Sequence, residues 1–232
     1  MNSDQAIIDV IIPVFNEEDS IGRVIADIPS GIVRDIIVCN NASTDKTGLV
    51  ALNKGATVVN QLERGYGNAC LKGLEHIERK EVKPDIVVFL DGDYSDYPSE
   101  MVNIVNPIIT ENVDLVIGSR ALGEMEKGAM MPQQIFGNWL ATTLIKLFFN
   151  YEFSDLGPFR AIKYSALQKI NMVDKNFGWT VEMQVKAAKE KLIIREIPVS
   201  YRKRIGESKV SGTVKGTILA GYKILWTIFK YI

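Results

Sequence analysis

From residue 7 to residue 117 the chain alternates short Val- and Ile-rich runs with stretches of helical spacing, and no other feature narrows the choice of fold so far. Residues 7–14, 35–39, 56–59, 85–90 and 114–117 are almost continuously apolar. That is the pattern of strands covered on both faces of a parallel sheet. Residues 18–28, 45–54, 69–79 and 99–110 carry apolar side chains at helical spacing. Ser43, Thr44 and Asp45 supply capping side chains for the second of these, and Pro98 suits the first turn of the fourth. The alternation predicts an α/β fold on an open, doubly wound, mostly parallel sheet. Ligands of such sheets bind beyond the carboxyl ends of the strands. Those positions are polar here: Phe15-Asn16-Glu17-Glu18, the run from Asn40 to Asp45, the run from Asp91 to Asp96, and Gly118-Ser119-Arg120.

The second half has a different texture. Residues 121–134 are rich in Gly, Met and charge and read as a loop. Residues 135–149 read as a hydrophobic helix, 154–160 as turns, 178–190 as a helix, and 193–204 as a strand with a basic end. A loop over 205–212 then leads into a last helix over 213–232. Residues 1–212 thus form one main domain and 213–232 an amphipathic C-terminal helix. On that helix Val214, Ile218, Leu225, Trp226, Phe229 and Ile232 are apolar, while Lys215, Lys223 and Lys230 fall near one face. A basic amphipathic helix with Trp and Tyr suits a bilayer interface. A second subunit, in a homo-oligomer, or the body of the protein would cover the same apolar face.

Composition removes several classes of function. A chain of 232 residues that is 47% hydrophobic can bury the core of one large α/β domain. Cys39 and Cys70, the only cysteines, lie in apolar patterns and read as core residues. His76 is the only histidine, which leaves a zinc cage or a His-based nucleophile without partners. Residues 1–5 are polar and lead straight into a strand, and no run of 18 uncharged apolar residues occurs, so neither a signal peptide nor a transmembrane helix is expected. The net charge of −1 conceals an asymmetry: residues 186–232 hold 11 Lys and Arg against Glu190, Glu196 and Glu207. A basic end suggests an anionic partner there. The acidic body and the lack of a nucleic-acid-binding signature argue against DNA or RNA.

Asp91-Gly92-Asp93 is the strongest chemical signal. Two carboxylates two residues apart, just past a buried strand, repel one another unless a cation lies between them. Hard oxygen ligands suit Mg²⁺ or Mn²⁺, which commonly bridge to a diphosphate. Residues 63–69 add two glycines before a helix, and the backbone around Gly67 would let amides approach a phosphate or sugar.

Together these motifs resemble the inverting glycosyltransferases of family 2, with the GT-A fold. Pro13-Val14-Phe15-Asn16-Glu17-Glu18 is similar to the opening motif of that family, Asp91-Gly92-Asp93 to its D-x-D, and Val116-Ile117-Gly118-Ser119-Arg120 to the strand end that follows. Gly157-Pro158-Phe159-Arg160 and Arg204-Ile205-Gly206-Glu207-Ser208-Lys209 resemble motifs of polyprenyl-phosphate (dolichol-phosphate) mannosyltransferases. The motifs occur in order over residues 7–212.

The resemblance implies a nucleoside-diphosphate sugar, with GDP or UDP, as donor and a polyprenyl phosphate as acceptor. It implies that Pro13, Phe15 and Glu17 contact base and ribose, and that Asp91 and Asp93 hold Mg²⁺ or Mn²⁺ at the diphosphate. Arg120, Arg160, Arg204, Ser208 and Lys209 would meet phosphates, a role that suits the arginine fork and the lysine point charge. It places the protein in the cytoplasm, peripheral at the cytoplasmic face of the membrane. Two positions depart from the family. Asn40-Asn41 stand where paired aspartates are usual, with Asp45 kept, and Asn donates as well as accepts at a base edge. Ser95 stands where a Gln is frequent, and a water or Asp96 would fill that place. Glu182 matches the region where many family members carry a base for a hydroxyl acceptor. A lipid phosphate is already an anion and needs none, which leaves Glu182 a base, a positioning residue or a structural one. Transfer to a hydroxyl with Glu182 as base, and nucleotide-sugar binding without transfer, are the alternatives.

Overall fold

The structure, a computed structural model, describes residues 6–206 and 214–232. The first half alternates as the apolar runs predict: β1 (Ile8–Val14), α1 (Ile21–Asp27), β2 (Asp35–Asn40), α2 (Thr47–Asn53), β3 (Thr57–Asn60), α3 (Tyr66–Glu78), β4 (Ile86–Phe89), α4 (Met101–Glu111) and β5 (Leu115–Ser119). The second half adds α5 (Pro132–Phe149), β6 (Arg160–Lys163), α6 (Tyr164–Ile170), α7 (Trp179–Lys189), β7 (Ile194–Pro198) and α8 (Val214–Lys230). The strands form one seven-stranded sheet in the order β3-β2-β1-β4-β6-β5-β7. All pairs are parallel except those of β6, which runs antiparallel between β4 and β5.

All seven residues of β1 are buried, as a central strand requires. Alternate side chains feed two cores. Ile11, Ile37, Val87 and Phe89 face α3, α5, α7 and α8, whereas Val10, Ile12, Val38 and Val88 face α1, α2 and α4. Each such side chain contributes about 1.5–3 kcal/mol when fully buried. Cys39 and Cys70 belong to the first core, in accord with their pattern. His76 lies 3.8 Å from Asp35 at the amino end of β2, the end of the sheet opposite the polar loops.

Two features depart from the sequence expectations. β6 and α6 fall where no element is expected, because four residues shared between two neighbouring strands show no resolvable period. The strand expected over 193–204 ends at Pro198. Beyond it the chain leaves the sheet and runs along the loop after β4, with Arg202 N donating to Ser95 O and Ile205 N to Asp93 O. Helix α8 packs on α5 and α7, and its Ile228 is fully buried in the first core.

Candidate active site

The loops after β1, β2 and β4 meet above the sheet, and short hydrogen bonds lock them. Asn16 adopts a left-handed φ of 53°, its N–H donates to Ser43 and its side chain pairs with Thr44. Glu17 N donates to the Thr47 hydroxyl, and Glu18 N to Asp45. Burial raises the Asp45 carboxyl, but donation from the Thr47 hydroxyl and from backbone N–H groups outweighs it and holds it below the ordinary range. Asp45 therefore organises the two loops rather than lining the cleft. Ser20 joins them to the third loop by donating to Gly92 O at 2.7 Å. A Cβ at Gly92 would lie 2.5 Å from Val14, which is why the D-x-D spacer is glycine.

These loops floor a cleft of about 760 Å³, whose walls include Pro13, Phe15, Glu17, Asn41, Asp91, Asp93, Arg120 and Arg204. Six residues of that set come from three sequence segments more than 20 residues apart, and the sheet alone brings them together. The Arg64 guanidinium lies 3.7 Å over the Phe15 ring at one end. Asn41 lines the cleft, yet its carboxamide is fully engaged. It donates to Gln61 O and Glu63 O and accepts from Gly65 N, so the Asn in place of an aspartate shapes the 61–65 loop.

Asp91 accepts from the Tyr66 hydroxyl at 2.9 Å. Burial first, and the neighbouring Asp93 second, push its carboxyl up to about 6. Asp93 accepts from the backbone and side chain of Ser95 and pairs with Arg204 at 3.1 Å. Behind them Asp96 is buried with both oxygens unpartnered among the described residues, and burial together with Asp91 and Asp93 raises its carboxyl well above the ordinary range. A cluster of crowded carboxylates with unspent oxygens fits a hard divalent cation. Among the described residues no three carboxylate, thiol or imidazole groups form a complete cage. Asp91 and Asp93 would hold such an ion while diphosphate and water complete its shell, the arrangement usual for Mg²⁺.

The other expected residues divide sharply. Arg120 lines the cleft but is held bidentately by Asp155 at 2.8 Å and lies 5.0 Å from the Tyr201 ring. Burial would lower its basicity, and Asp155 more than reverses that. Arg160, expected at a phosphate, is fully buried outside the cleft. Its guanidinium donates to the carbonyls of Leu156, Gly157 and Thr180, and burial pulls its pKa down to about 10, so it braces the floor from below. Gly67 also faces away from the cleft: a Cβ there would sit 1.9 Å from Asp174 O, and the neighbouring Asn68 N–H is taken by Lys175 O. The glycine admits the 174–175 backbone, not a phosphate. Glu182 is fully buried; it accepts from Asp174 N at 2.7 Å and from the Tyr231 hydroxyl at 2.5 Å, and pairs with Lys186. That geometry fastens α8 to α7 and offers no path to a substrate proton. Ser208 and Lys209 lie outside the described residues.

Sequence reasoning missed Asp155, Asp174 and Tyr66. A buried arginine at Arg120 needs a counter-charge, and that requirement was the available signal for Asp155.

Helices α5 and α8 also line the cleft: α5 with Phe136, Gly137 and Leu140 beside Gln133, Gln134 and Asn138, and α8 with the apolar set Ala220, Gly221, Ile224 and Leu225. A Cβ at Gly137 or Gly221 would meet nothing within 4 Å, so both glycines widen the groove between the helices.

Comparison with known proteins agrees with this geometry. Residues 9–170 match the family described as Glycosyl transferase family 2. An uncharacterised glycosyltransferase of Mycobacterium tuberculosis is 33% identical over 214 residues, covering 91% of this chain and 93% of that one. The dolichyl-phosphate hexose transferase of Haloferax volcanii is 31% identical, covering 90% and 89%. The undecaprenyl-phosphate mannosyltransferase of Micrococcus luteus is 30% identical, covering 89% and 88%. Among solved structures, glucosyl-3-phosphoglycerate synthase of Mycobacterium tuberculosis superposes with a TM-score of 0.76 at 21% identity over 97% of this chain and 80% of that one. That protein has also been solved with Mn²⁺ and uridine diphosphate, at a TM-score of 0.74. The fold is GT-A, and the chain belongs to glycosyl transferase family 2.

Proposed function

We propose that this glycosyltransferase moves a hexose, with inversion, from a nucleoside-diphosphate sugar to a polyprenyl phosphate in a metal-dependent reaction. The observation that carries the reading is the lining of the cleft, which joins Asp91 and Asp93 to apolar residues of α5 and α8 such as Phe136, Leu140, Ile224 and Leu225. An acceptor with an anionic head and a hydrocarbon tail matches both kinds of lining. A free sugar hydroxyl acceptor would leave the apolar lining unused. The M. luteus and H. volcanii relatives, named for undecaprenyl and dolichyl phosphate, support the same acceptor class.

In this reading Phe15 and Arg64 flank the base, UDP or GDP, and Glu17 and Arg204 stand at the ribose and diphosphate. The acceptor phosphate oxygen attacks the anomeric carbon from the face opposite the nucleotide, the bond to the diphosphate oxygen breaks, and the nucleoside diphosphate departs. When bound, a divalent cation neutralises the charge growing on that leaving group. The attacking oxygen carries no proton, so the mechanism asks for no base, in keeping with the buried, fully engaged Glu182. Helices α5 and α8, which line the cleft, expose Phe136, Trp139, Tyr222, Trp226 and Phe229. This aromatic face suits peripheral contact with the bilayer that supplies the acceptor. Among the described residues no helix is long and apolar enough to cross a membrane.

The test is transfer of sugar from a panel of UDP- and GDP-hexoses to a short polyprenyl phosphate with Mn²⁺ or Mg²⁺, with Asp93→Ala as control. Lipid-linked product lost in the variant supports the reading. Donor turnover without lipid product removes the polyprenyl acceptor from it.

A further inference from the structure

Arg204 bridges two carboxylates from separate loops. Its Nη1 lies 3.1 Å from Asp93 Oδ2 and its Nη2 2.9 Å from Glu17 Oε1. Its Nε is buried and has no partner among the described residues. An ordinary surface ion pair would mean little. This one differs in three respects. Asp93 is only 7% exposed, the fork spans two loops, and one buried donor is unspent. The main chain on either side of Arg204 is anchored, since Arg202 N and Ile205 N donate to the loop after β4, so the guanidinium can change partners from a fixed base.

We propose that Arg204 is an exchangeable counter-ion. Without ligands it neutralises Asp93 and Glu17. When a divalent cation takes Asp93, the guanidinium turns its donors, Nε–H included, to phosphoryl oxygens of the donor. The inference rests on Asp91 and Asp93 being the cation site. A divalent cation on Asp93 and the guanidinium 3.1 Å from its Oδ2 repel one another and compete for the same negative charge, so a cation entering the nucleotide-free protein works against Arg204. A diphosphate accepts the displaced group. Each ligand therefore promotes the other, and linkage makes the effect reciprocal. Arg204 is thereby a positioning residue that makes the site receptive to the metal–nucleotide pair rather than to free metal.

The test measures Mn²⁺ binding to the full-length protein by the electron spin resonance of free Mn²⁺, and UDP and GDP binding by calorimetry with and without Mn²⁺. Without nucleotide, Arg204→Gln should bind Mn²⁺ on the order of tenfold more tightly than the native protein, within the usual range of coupling between sites. Without metal, it should bind UDP or GDP several-fold more weakly, about the loss of one charge-assisted contact. Arg204→Lys, which reaches one carboxylate at a time, should show a smaller gain in Mn²⁺ affinity. It carries the same comparison should the Gln variant fail to fold. Lys203→Gln removes the same charge one residue away, on a side chain 4.0 Å from Glu126, and should leave Mn²⁺ affinity unchanged. The inference is overturned if Arg204→Gln gains no Mn²⁺ affinity, or if Lys203→Gln gains as much. Asp93→Ala separates the two levels. If it still binds Mn²⁺ like the native protein, the cation site itself is wrong. If it loses Mn²⁺ while Arg204→Gln gains nothing, the cation site stands and only the counter-ion role falls.

Discussion

Replacing Asp91 by Asn should make the metal-free protein more stable near neutral pH. Burial and Asp93 raise the Asp91 carboxyl from 3.8 to about 6. Between those values the unfolded chain has released the proton and the folded protein still holds it. Stability therefore falls as pH rises through this window and stays low above it. A shift of roughly two units corresponds to about 3 kcal/mol, and solvent at the open cleft trims this to about 1–3 kcal/mol. The Asn carbonyl keeps the acceptor that the Tyr66 hydroxyl uses, so the substitution removes the charge and little else. The assay is urea unfolding of both proteins, free of metal, from pH 3.5 to pH 8. The variant should lead by about 1–3 kcal/mol at pH 7.5 and converge with the native protein below about pH 4. Mn²⁺ should then stabilise the native protein and not the variant. A variant equal to or weaker than the native protein at pH 7.5 would refute the claim that burial and the neighbouring Asp93 make the Asp91 charge costly.

Three further outcomes follow from the packing. Gly67→Ala forces a Cβ to within 1.9 Å of Asp174 O, and should cost about 1–3 kcal/mol in thermal unfolding with loss of Tyr66 placement at Asp91. Arg160→Met strips three carbonyls of their donor and should lower stability by about 2–4 kcal/mol, while the KM for donor in surviving folded protein stays within a few-fold of native. Glu182→Gln should lower the melting temperature by several degrees and retain most of the transfer rate; a loss of about a thousandfold in kcat with unchanged stability would restore the general-base role.

The first half of the fold was legible because β1, β4 and β5 are buried along their whole length and the helices between them bury one face, so hydrophobicity marks the elements. The D-x-D pair was legible for a related reason: packing gives no cause to put two carboxylates at a strand end. β6 was not legible, since its place between β4 and β5 depends on partners far along the chain. The departure at Asn41 was visible as a residue, but its meaning was not. Only the structure shows its carboxamide spent on Gln61, Glu63 and Gly65.

Local pattern thus determined the α/β class, the polar loops at the carboxyl ends of the strands, and the carboxylate pair there, because those properties reside in residue type and spacing. Tertiary structure decided which of the charged candidates face the cleft those loops enclose. Arg160, Gly67 and Glu182 carry motif-like positions yet point into carbonyls, backbone and a neighbouring helix, while Arg204 arrives at Asp93 only because the chain leaves the sheet at Pro198. A side chain's charge is written in the sequence. Whether it meets substrate, solvent or a buried partner depends on long-range packing, which no short window of residues contains.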